Sequence, residues 1–285
     1  MRNKLCDLHV HSTFSDGTMT PPELIDLAIE QGLSALALCD HNTVTGLPLF
    51  SEYAEDKAIE SVCGTELSTT FDGSELHILG LFITPPMYGE INEWLSEAMK
   101  RKQQSNFRMI AALNESGIHL DYRKLTDESP SGQFNRGNVA AAMKDLGYVD
   151  TISQAFREYL APELGYYREP ERPDACATIG FLRDLGAVPV WAHPFLSLPE
   201  SRITEFLPQA VNAGLAGMEV LYSEDTAEET RKAYALADQY GLLYSGGTDF
   251  HGENKPDIQL GTGYGNMNIP YQYYLELREQ RGAGL

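Results

Sequence analysis

The sequence predicts an α/β fold whose mostly parallel sheet is either open or closed into a barrel. Short apolar runs with the character of strands alternate with segments of helical spacing, and this alternation stops in one central, helical region. The chain has 285 residues, 42% of them hydrophobic, which is enough for one large domain that carries an insertion.

The first predicted strand, residues 5–10, precedes a helix with a well-marked start. Thr20-Pro21-Pro22-Glu23 has the pattern of a capping box with proline in the first turn, and Gly32 ends the helix. Further strands are predicted at 33–38, 59–63, 76–83, 187–191, 218–221 and 242–245. Helical spacing between the later strands is found at 174–185, 200–213 and 226–240.

The middle of the chain contains helical patterns but no convincing buried strand. Apolar residues from Trp94 to Leu113 suit a long amphipathic helix, and residues 138–146 and 153–160 suit two shorter ones. We therefore predict a first part of the α/β domain at 1–97, a helical insertion at 98–173 that leans over the site as a cap, and a second part at 174–285.

The formal charge of −20 argues against long nucleic acid as a partner, because an acidic surface repels polyanions. Bound divalent ions would offset this repulsion locally, so a small phosphorylated substrate or the end of a short oligonucleotide stays compatible. The N-terminus has no apolar stretch of the length of a signal peptide or membrane span, and we expect a cytoplasmic protein without membrane attachment. The four scattered cysteines predict free thiols.

Histidines and carboxylates stand at the ends of the predicted strands. In a β/α barrel the C-terminal strand ends meet at one mouth, so we expect these side chains to gather in one pocket. His77 is an exception because it stands early in its strand, and His119 lies in the insertion without such a context, as an ordinary histidine would. The residues placed at strand ends are His9, His11, Asp40, His41, Glu66, His193, Asp249 and His251.

The spacing of these residues suits metal binding. His9 and His11 are two positions apart on a strand and face the same side, so both imidazoles can reach one ion, and Asp249 and His251 repeat the spacing. The set offers nitrogen and oxygen donors without cysteine, which favours Mn²⁺, Fe²⁺ or Zn²⁺ over Mg²⁺ or Ca²⁺.

Six motifs together resemble the PHP (polymerase and histidinol phosphatase) family. They are D-L-H-V-H-S-T-F-S-D-G at 7–17, C-D-H-N at 39–42, G-T-E at 64–66, H-I-L-G-L at 77–81, A-H-P at 192–194 and G-T-D-F-H-G at 247–252. The resemblance covers almost the whole chain and implies a distorted (β/α)7 TIM-like barrel with a helical insertion and a site for two or three divalent metal ions.

The resemblance also implies a ligand set. The first ion would take His9, His11, Glu66 and Asp249; the second Glu66, His77 and His193; the third Asp16, His41 and His251. The motif S-D-G, with aspartate at position 16, resembles one branch of the family. That branch includes 3′,5′-nucleotide bisphosphate phosphatases and 5′-to-3′ exonucleases that act on short RNA. The implied enzyme is a metal-dependent phosphoesterase acting on phosphate monoesters of small nucleotides.

Hydrolysis is expected to use a metal-activated hydroxide, with Glu66 fixing the ions and Asp249 or His251 moving protons. Phosphate also needs donors outside the metal shell, and the insertion supplies candidates. The predicted substrate-binding residues are Arg101, Arg136, Asn138 and Tyr167, with Lys102 as a further cation. Arg136-Gly137-Asn138 stands where relatives often have R-G-H.

Several alternatives remain open from the sequence. One is a 5′-to-3′ exonuclease on short RNA or DNA, and another is a phosphatase acting on histidinol phosphate, which Asp16 and the insertion disfavour. A different class is a non-catalytic metal-binding PHP module, disfavoured by the full ligand set. An amidohydrolase acting on C–N bonds is disfavoured because no bridging lysine stands beside the expected ligands.

Overall fold

A computed structural model describes residues 4–127 and 134–281 of the chain. Residues 1–3, 128–133 and 282–285, one range in each of the three predicted parts, lie outside the described residues. Seven strands form one sheet in which neighbours in sequence are neighbours in space. Their bounds are β1 Cys6–Val10, β2 Ala35–Leu38, β3 Glu60–Phe71, β4 Ser74–Leu81, β5 Val188–Trp191, β6 Gly217–Tyr222 and β7 Leu243–Gly247.

The sheet curls until its first and last strands meet, which gives a nearly closed barrel. The segment after β7 reaches β1 through a parallel bridge between Val10 and Phe250. The Asp249 amide donates to the His9 carbonyl at 2.9 Å, and the His11 amide donates to the Phe250 carbonyl at 3.0 Å. The predicted barrel is therefore confirmed, and its closure seam carries three of the expected metal ligands.

One hairpin departs from the predicted parallel order. β4 runs antiparallel to both β3 and β5, and β3 continues to Phe71, well beyond the predicted end at residue 63. The turn at Asp72 and Gly73 explains the reversal, because both residues have the left-handed φ angles (48° and 82°) that tight hairpins need. Since β4 runs the opposite way, its early residues lie at the mouth, and His77 is no exception to the strand-end pattern.

Helices cover the outside of the barrel. α1 (Pro21–Glu30) begins at the predicted capping box, in which the Thr20 side chain and Glu23 satisfy each other's backbone amides. The others are α2 Leu47–Ala54, α7 Ala175–Asp184, α8 Pro194–Ser197, α9 Glu200–Ala213, α10 Ala227–Tyr240 and α11 Tyr271–Gln280. Their apolar faces and the strands bury one large core that includes Leu8, Leu36, Ile78, Trp191 and Phe206.

The insertion has a second, smaller core. Its helices are α3 Tyr88–Glu115, α4 Tyr122–Asp127, α5 Arg136–Asp145 and α6 Ile152–Ala155, which a π-helical turn at Phe156–Leu160 extends. α3 joins the cores, since Leu95 and Met99 pack in the barrel core and Met109 and Leu113 in the insertion core. The predicted division at residue 98 therefore falls inside a continuous helix.

The four cysteines are unpaired, as expected. Within the described ranges, no helix combines the length and the apolar character that a membrane crossing requires.

Candidate metal centre

Glu66 lies at the centre of the barrel mouth, where β3 passes the end of the barrel. Its side chain is fully buried and is surrounded by imidazole nitrogens. Oε1 lies 2.7 Å from His77 Nδ1 and 2.9 Å from His193 Nε2. Oε2 lies 2.9 Å from His41 Nδ1. One carboxylate thus meets side chains from β4, from the end of β5 and from the end of β2.

Three ligand atoms converge beside Glu66 Oε2 and form a group of four with it. His9 Nε2 and His11 Nε2 are 3.1 Å apart, and each lies 3.3 Å from that oxygen. Asp249 Oδ1 lies 3.0 Å from His11 Nε2 and 3.7 Å from His9 Nε2. Atoms bound to one ion at about 2.1 Å in tetrahedral geometry lie about 3.4 Å apart, so this spacing suits a shared ion.

Two further groups share members with the first. His251 Nε2 lies 3.1 Å from Asp16 Oδ1, and His11 and His41 complete a group of four around that carboxylate. His41, Glu66 and His77 form a group of three. The ligand set that the family resemblance implied there was Glu66, His77 and His193. All nine expected ligands lie in one cluster. Only the groups in which their ligand atoms lie differ from the expected ligand sets.

The hydrogen bonding of this cluster tests whether a metal fits. Among the described residues, Asp16 Oδ1, His41 Nδ1 and Glu66 Oε2 are buried atoms without a hydrogen-bond partner. Each nevertheless has a polar atom within about 3.1 Å, in a geometry that makes no hydrogen bond. Buried nitrogen and carboxylate ligand atoms that lie close together without hydrogen-bond partners are what a divalent metal cluster requires, and the residues fit one.

Electrostatics support the same interpretation. Burial alone would raise the pKa of the Glu66 carboxyl, but His41, His77 and His9 hold it well below its usual range. Burial disfavours charge on His77, yet the Glu66 carboxylate raises the pKa of this imidazole to about 10. The Glu66 carboxylate is therefore held in its charged form, and a charge buried in this way needs a cation beside it.

Two of the expected ligands have strained backbones. His193 and Asp249 have left-handed φ angles of 32° and 54° although neither is glycine. Such conformations persist only where the surroundings enforce them, and they cluster at functional sites. The strain turns both side chains inward where their strands end.

Sequence reasoning missed a buried carboxylate behind the ligands. Glu219, in the middle of β6, accepts from His9 Nδ1 at 3.1 Å and from the His193 amide at 2.7 Å. It therefore holds one imidazole and one strained backbone in place, the usual task of a carboxylate behind a metal-binding histidine. The available indication was a glutamate inside an otherwise apolar strand, G-M-E-V-L-Y.

Asp40, noted in the sequence without an assigned role, anchors the loop after β1. It accepts from the Ser12 and Ser15 hydroxyls at 2.6 Å each. These hydrogen bonds fix the turn that leads from β1 to Asp16.

A cavity of about 810 Å³ opens above the cluster, between the barrel mouth and the insertion. Lys102, Arg136, Tyr167 and Arg172 line its insertion side. The Arg136 guanidinium lies over the Tyr167 ring, 4.4 Å from its centroid, so this tyrosine is covered and orients an arginine instead of offering a free face.

Two predicted substrate-binding residues are placed elsewhere. Arg101 pairs with Glu171 at 3.0 Å on the surface and does not line the cavity, whereas its neighbour Lys102 does. Asn138 forms a capping box with Asn135 and donates to the Ser15 carbonyl at 3.1 Å, so it joins α5 to the metal loop. Asn135 donates to Asp16 at 2.8 Å and fixes that carboxylate.

Comparison with known proteins decides the family. The model of the PHP domain matches residues 7–167, more than half of the chain. The chain belongs to the PHP domain family. A solved Bifidobacterium adolescentis protein shares the fold of this PHP protein with a TM-score of 0.87 at 24% identity, covering 97% of this chain and 96% of its own.

Curated relatives match this PHP protein over nearly its full length. A 3′,5′-nucleoside bisphosphate phosphatase from Chromobacterium violaceum is 30% identical over 88% of this chain and 90% of its own. A 5′-3′ exoribonuclease from Haemophilus influenzae is 29% identical over 87% of this chain and 90% of its own. The predicted family, fold class and enzyme class, a phosphoesterase, are confirmed.

Proposed function

We propose that this PHP protein hydrolyses phosphate monoesters of small nucleotides, 3′,5′-bisphosphates foremost, at a cluster of divalent ions. The observation that carries the proposal is the convergence of eight histidine and carboxylate side chains around buried Glu66, with three buried ligand atoms that have no hydrogen-bond partner. We further propose Mn²⁺, Fe²⁺ or Zn²⁺ as the ions, because the donors are nitrogen and oxygen, and a cytoplasmic location.

The chain's own residues prepare the reaction. Divalent ions at such a centre supply an activated water and offset charge on the phosphoryl oxygens. Glu66 holds the histidines of three strands at fixed spacing, and Glu219 fixes the ring of His9. Asp249 Oδ2 accepts from Lys255 Nζ at 2.6 Å, which keeps this carboxylate ionised and oriented. The insertion covers the mouth and limits the water around the phosphate.

The insertion side of the cavity supports a substrate with a second anionic group. Among the described residues, Lys102 makes no hydrogen bond or ion pair, and Arg136 makes only long contacts, 3.8 Å to Glu75 and 3.5 Å to the Leu160 carbonyl. Arg172 is paired with Glu75 at 2.7 Å. Lys102, Arg136, Arg157 and Arg172 line this side against the carboxylates of Glu75 and Glu171, which leaves an excess of positive charge on a protein of net charge −20. Free donors of this kind suit a second phosphate.

A second candidate is exonucleolytic cleavage of short 5′-phosphorylated RNA. The exoribonuclease relatives are about as similar to this chain as the phosphatase, at 29% and 30% identity. The cavity of about 810 Å³ can also hold more than one nucleotide unit. In this case Lys102, Arg136 and Arg172 would bind the terminal phosphate, and the divalent metal ions would act on the next phosphate ester bond.

Metal analysis combined with a substrate panel tests the proposal. The protein is purified, stripped and reloaded with Mn²⁺, and is offered adenosine 3′,5′-bisphosphate, a 5′-phosphorylated RNA pentamer and histidinol phosphate. Release of inorganic phosphate from the first supports the bisphosphate assignment, and release of mononucleotides from the second supports the alternative. His119→Ala is the matched control, since this exposed histidine lies outside the cluster. Reloaded protein inactive on all three compounds contradicts the proposed function.

A further inference from the structure

Tyr264 is an exposed aromatic residue at the rim of the cavity. In the described part of the chain two aromatic side chains count among the exposed large apolar residues, Phe107 at 61% and Tyr264 at 54%. Phe107 packs edge-on against Tyr122 at 5.6 Å, outside the cavity. Tyr264 lines the cavity, and its side chain makes no hydrogen bond, ion pair or ring contact with any described residue.

The backbone around Tyr264 is held firmly. Gln259 and Gly263 exchange two amide-to-carbonyl hydrogen bonds of 2.8 Å each. Gly263 has a φ of 57°, and a Cβ there would approach Met267 Sδ to 2.6 Å, so only glycine fits beside the tyrosine. The Gly261 amide donates to Asp7 Oδ2 at 2.9 Å, which ties this loop to β1.

This anchoring points to a ligand. Asp7 is a buried carboxylate of β1, the strand that carries His9 and leads into His11. The hydrogen bond to Asp7 therefore fixes the loop relative to the metal-binding strand. A tightly bonded loop that presents one unpartnered ring to a cavity is pre-organised to contact something planar. Pro256 and Ile258 add apolar surface to the same cavity, interspersed with Lys255 and Asp257, and Phe156 lines it from the insertion.

We propose that Tyr264 is the stacking platform for the nucleobase of the substrate. This inference rests on the proposed function, because it takes the phosphate to lie at the metal cluster and assigns the remaining space of the cavity. Aromatic stacking tolerates any base, since every base presents a π-face. The platform therefore selects nucleotides over sugar phosphates without discriminating strongly among adenine, guanine, cytosine and uracil.

Steady-state kinetics of the metal-loaded protein test the platform. The quantity measured is the ratio of kcat/KM on adenosine 3′,5′-bisphosphate to kcat/KM on ribose 5-phosphate, which lacks a base. In Tyr264→Ala this ratio falls about tenfold, mainly through KM for the nucleotide, because one stacking partner is lost. Tyr264→Phe keeps the ring and retains the ratio. Phe107→Ala, which removes an exposed ring outside the cavity, leaves it unchanged.

Two results would overturn the platform: an unchanged ratio in Tyr264→Ala, or an equal loss on both substrates. If the unmutated protein hydrolyses neither compound, the proposed function fails, and calorimetry with AMP and ribose 5-phosphate decides the platform separately. Tighter binding of AMP that disappears in Tyr264→Ala supports the inference, and equal binding of the two compounds by the unmutated protein contradicts it.

Discussion

The barrel mouth and the insertion side line the same cavity, but their side chains are of opposite kinds: metal ligands at the mouth and cations on the insertion side. At the mouth, histidines and carboxylates crowd together at 2.7–3.8 Å, and every expected ligand has another as its neighbour. On the insertion side, Lys102 and Arg136 have few acceptors and keep most of their donors free. The mouth is built to hold cations, and the insertion side is built to hold an anion.

The difference teaches how the two functions are divided in the chain. Ligand positions at the mouth follow from barrel topology, because strand ends must meet there whatever the sequence between them. Donor positions in the insertion depend on how its own small core docks on the barrel through α3. On the proposed function, metal binding and phosphate binding by the insertion would be carried by separate cores, and mutations in each should have separable effects.

The strongest test of the comparison removes the charge at the centre of the mouth. Glu66→Gln keeps the shape of the side chain but loses the carboxylate that five histidines contact, three of them within 2.9 Å. We expect kcat/KM on adenosine 3′,5′-bisphosphate to fall ~1,000-fold, with a parallel loss of bound metal. Kinetics and elemental analysis measure both. Glu60→Gln, at the far end of the same strand, is the control; near-normal activity in Glu66→Gln would refute the assignment.

A smaller effect is expected behind the ligands. Glu219→Gln leaves every ligand in place but weakens the hold on His9 and on the backbone of His193. Because such carboxylates orient and polarise metal-bound histidines, we expect metal affinity to fall about 10- to 100-fold. Competition with a chelator of known affinity measures this. An unchanged affinity would mean that Glu219 serves only the packing of β6.

On the insertion side, the expected effect is on substrate binding alone. Arg136→Ala removes free donors but no metal-ligand contact, so KM on the bisphosphate should rise about tenfold while metal content stays normal. Arg101→Ala is a matched control, because this nearby arginine pairs with Glu171 and does not itself line the cavity. Loss of metal in Arg136→Ala would break the division between the two regions.

The parts that the sequence predicted are those with a periodic or strand-end signature. The barrel and the capping box at Thr20 follow from sequence periodicity and end signals, and seven of the nine clustered side chains follow from their positions at strand ends. Asp16 and His77 were expected from the family resemblance. The antiparallel direction of β4 was not predicted, because an apolar run has the same pattern in parallel and antiparallel sheets.

The cation assignments in the insertion were harder to predict because adjacent residues on one helix point in different directions. Arg101 and Lys102 are neighbours on α3, and only the second faces the cavity, which no composition or charge count distinguishes. Glu219 was missed for a related reason: a lone glutamate within a strand acquires its role only when the barrel places it behind His9.

One carboxylate at the mouth departs from the pattern of paired charges and gives the smallest predicted effect. Asp225 follows β6, and its Oδ2 is buried without a hydrogen-bond partner among the described residues. Burial, with the nearby carboxylates of Glu229 and Glu219, raises the pKa of this carboxyl from 3.8 to about 7. Because the folded protein binds this proton more tightly, its stabilising contribution is present below pH 4 and is lost as the pH rises through 7.

Asp225→Asn mimics the protonated acid at every pH. We expect the variant to match the unmutated protein near pH 4 and to be more stable at pH 8 by about 1 to 2 kcal/mol, a figure reduced for the partial exposure of the group. Thermal unfolding of the metal-free protein at both pH values measures the difference. Glu228→Gln, which removes an exposed carboxylate paired with Lys232, should show no such pH dependence. An equal gain in stability at both pH values would mean that the amide forms new contacts. Asp225 would then not carry an uncompensated charge, which is the property that separates it from the metal-binding carboxylates.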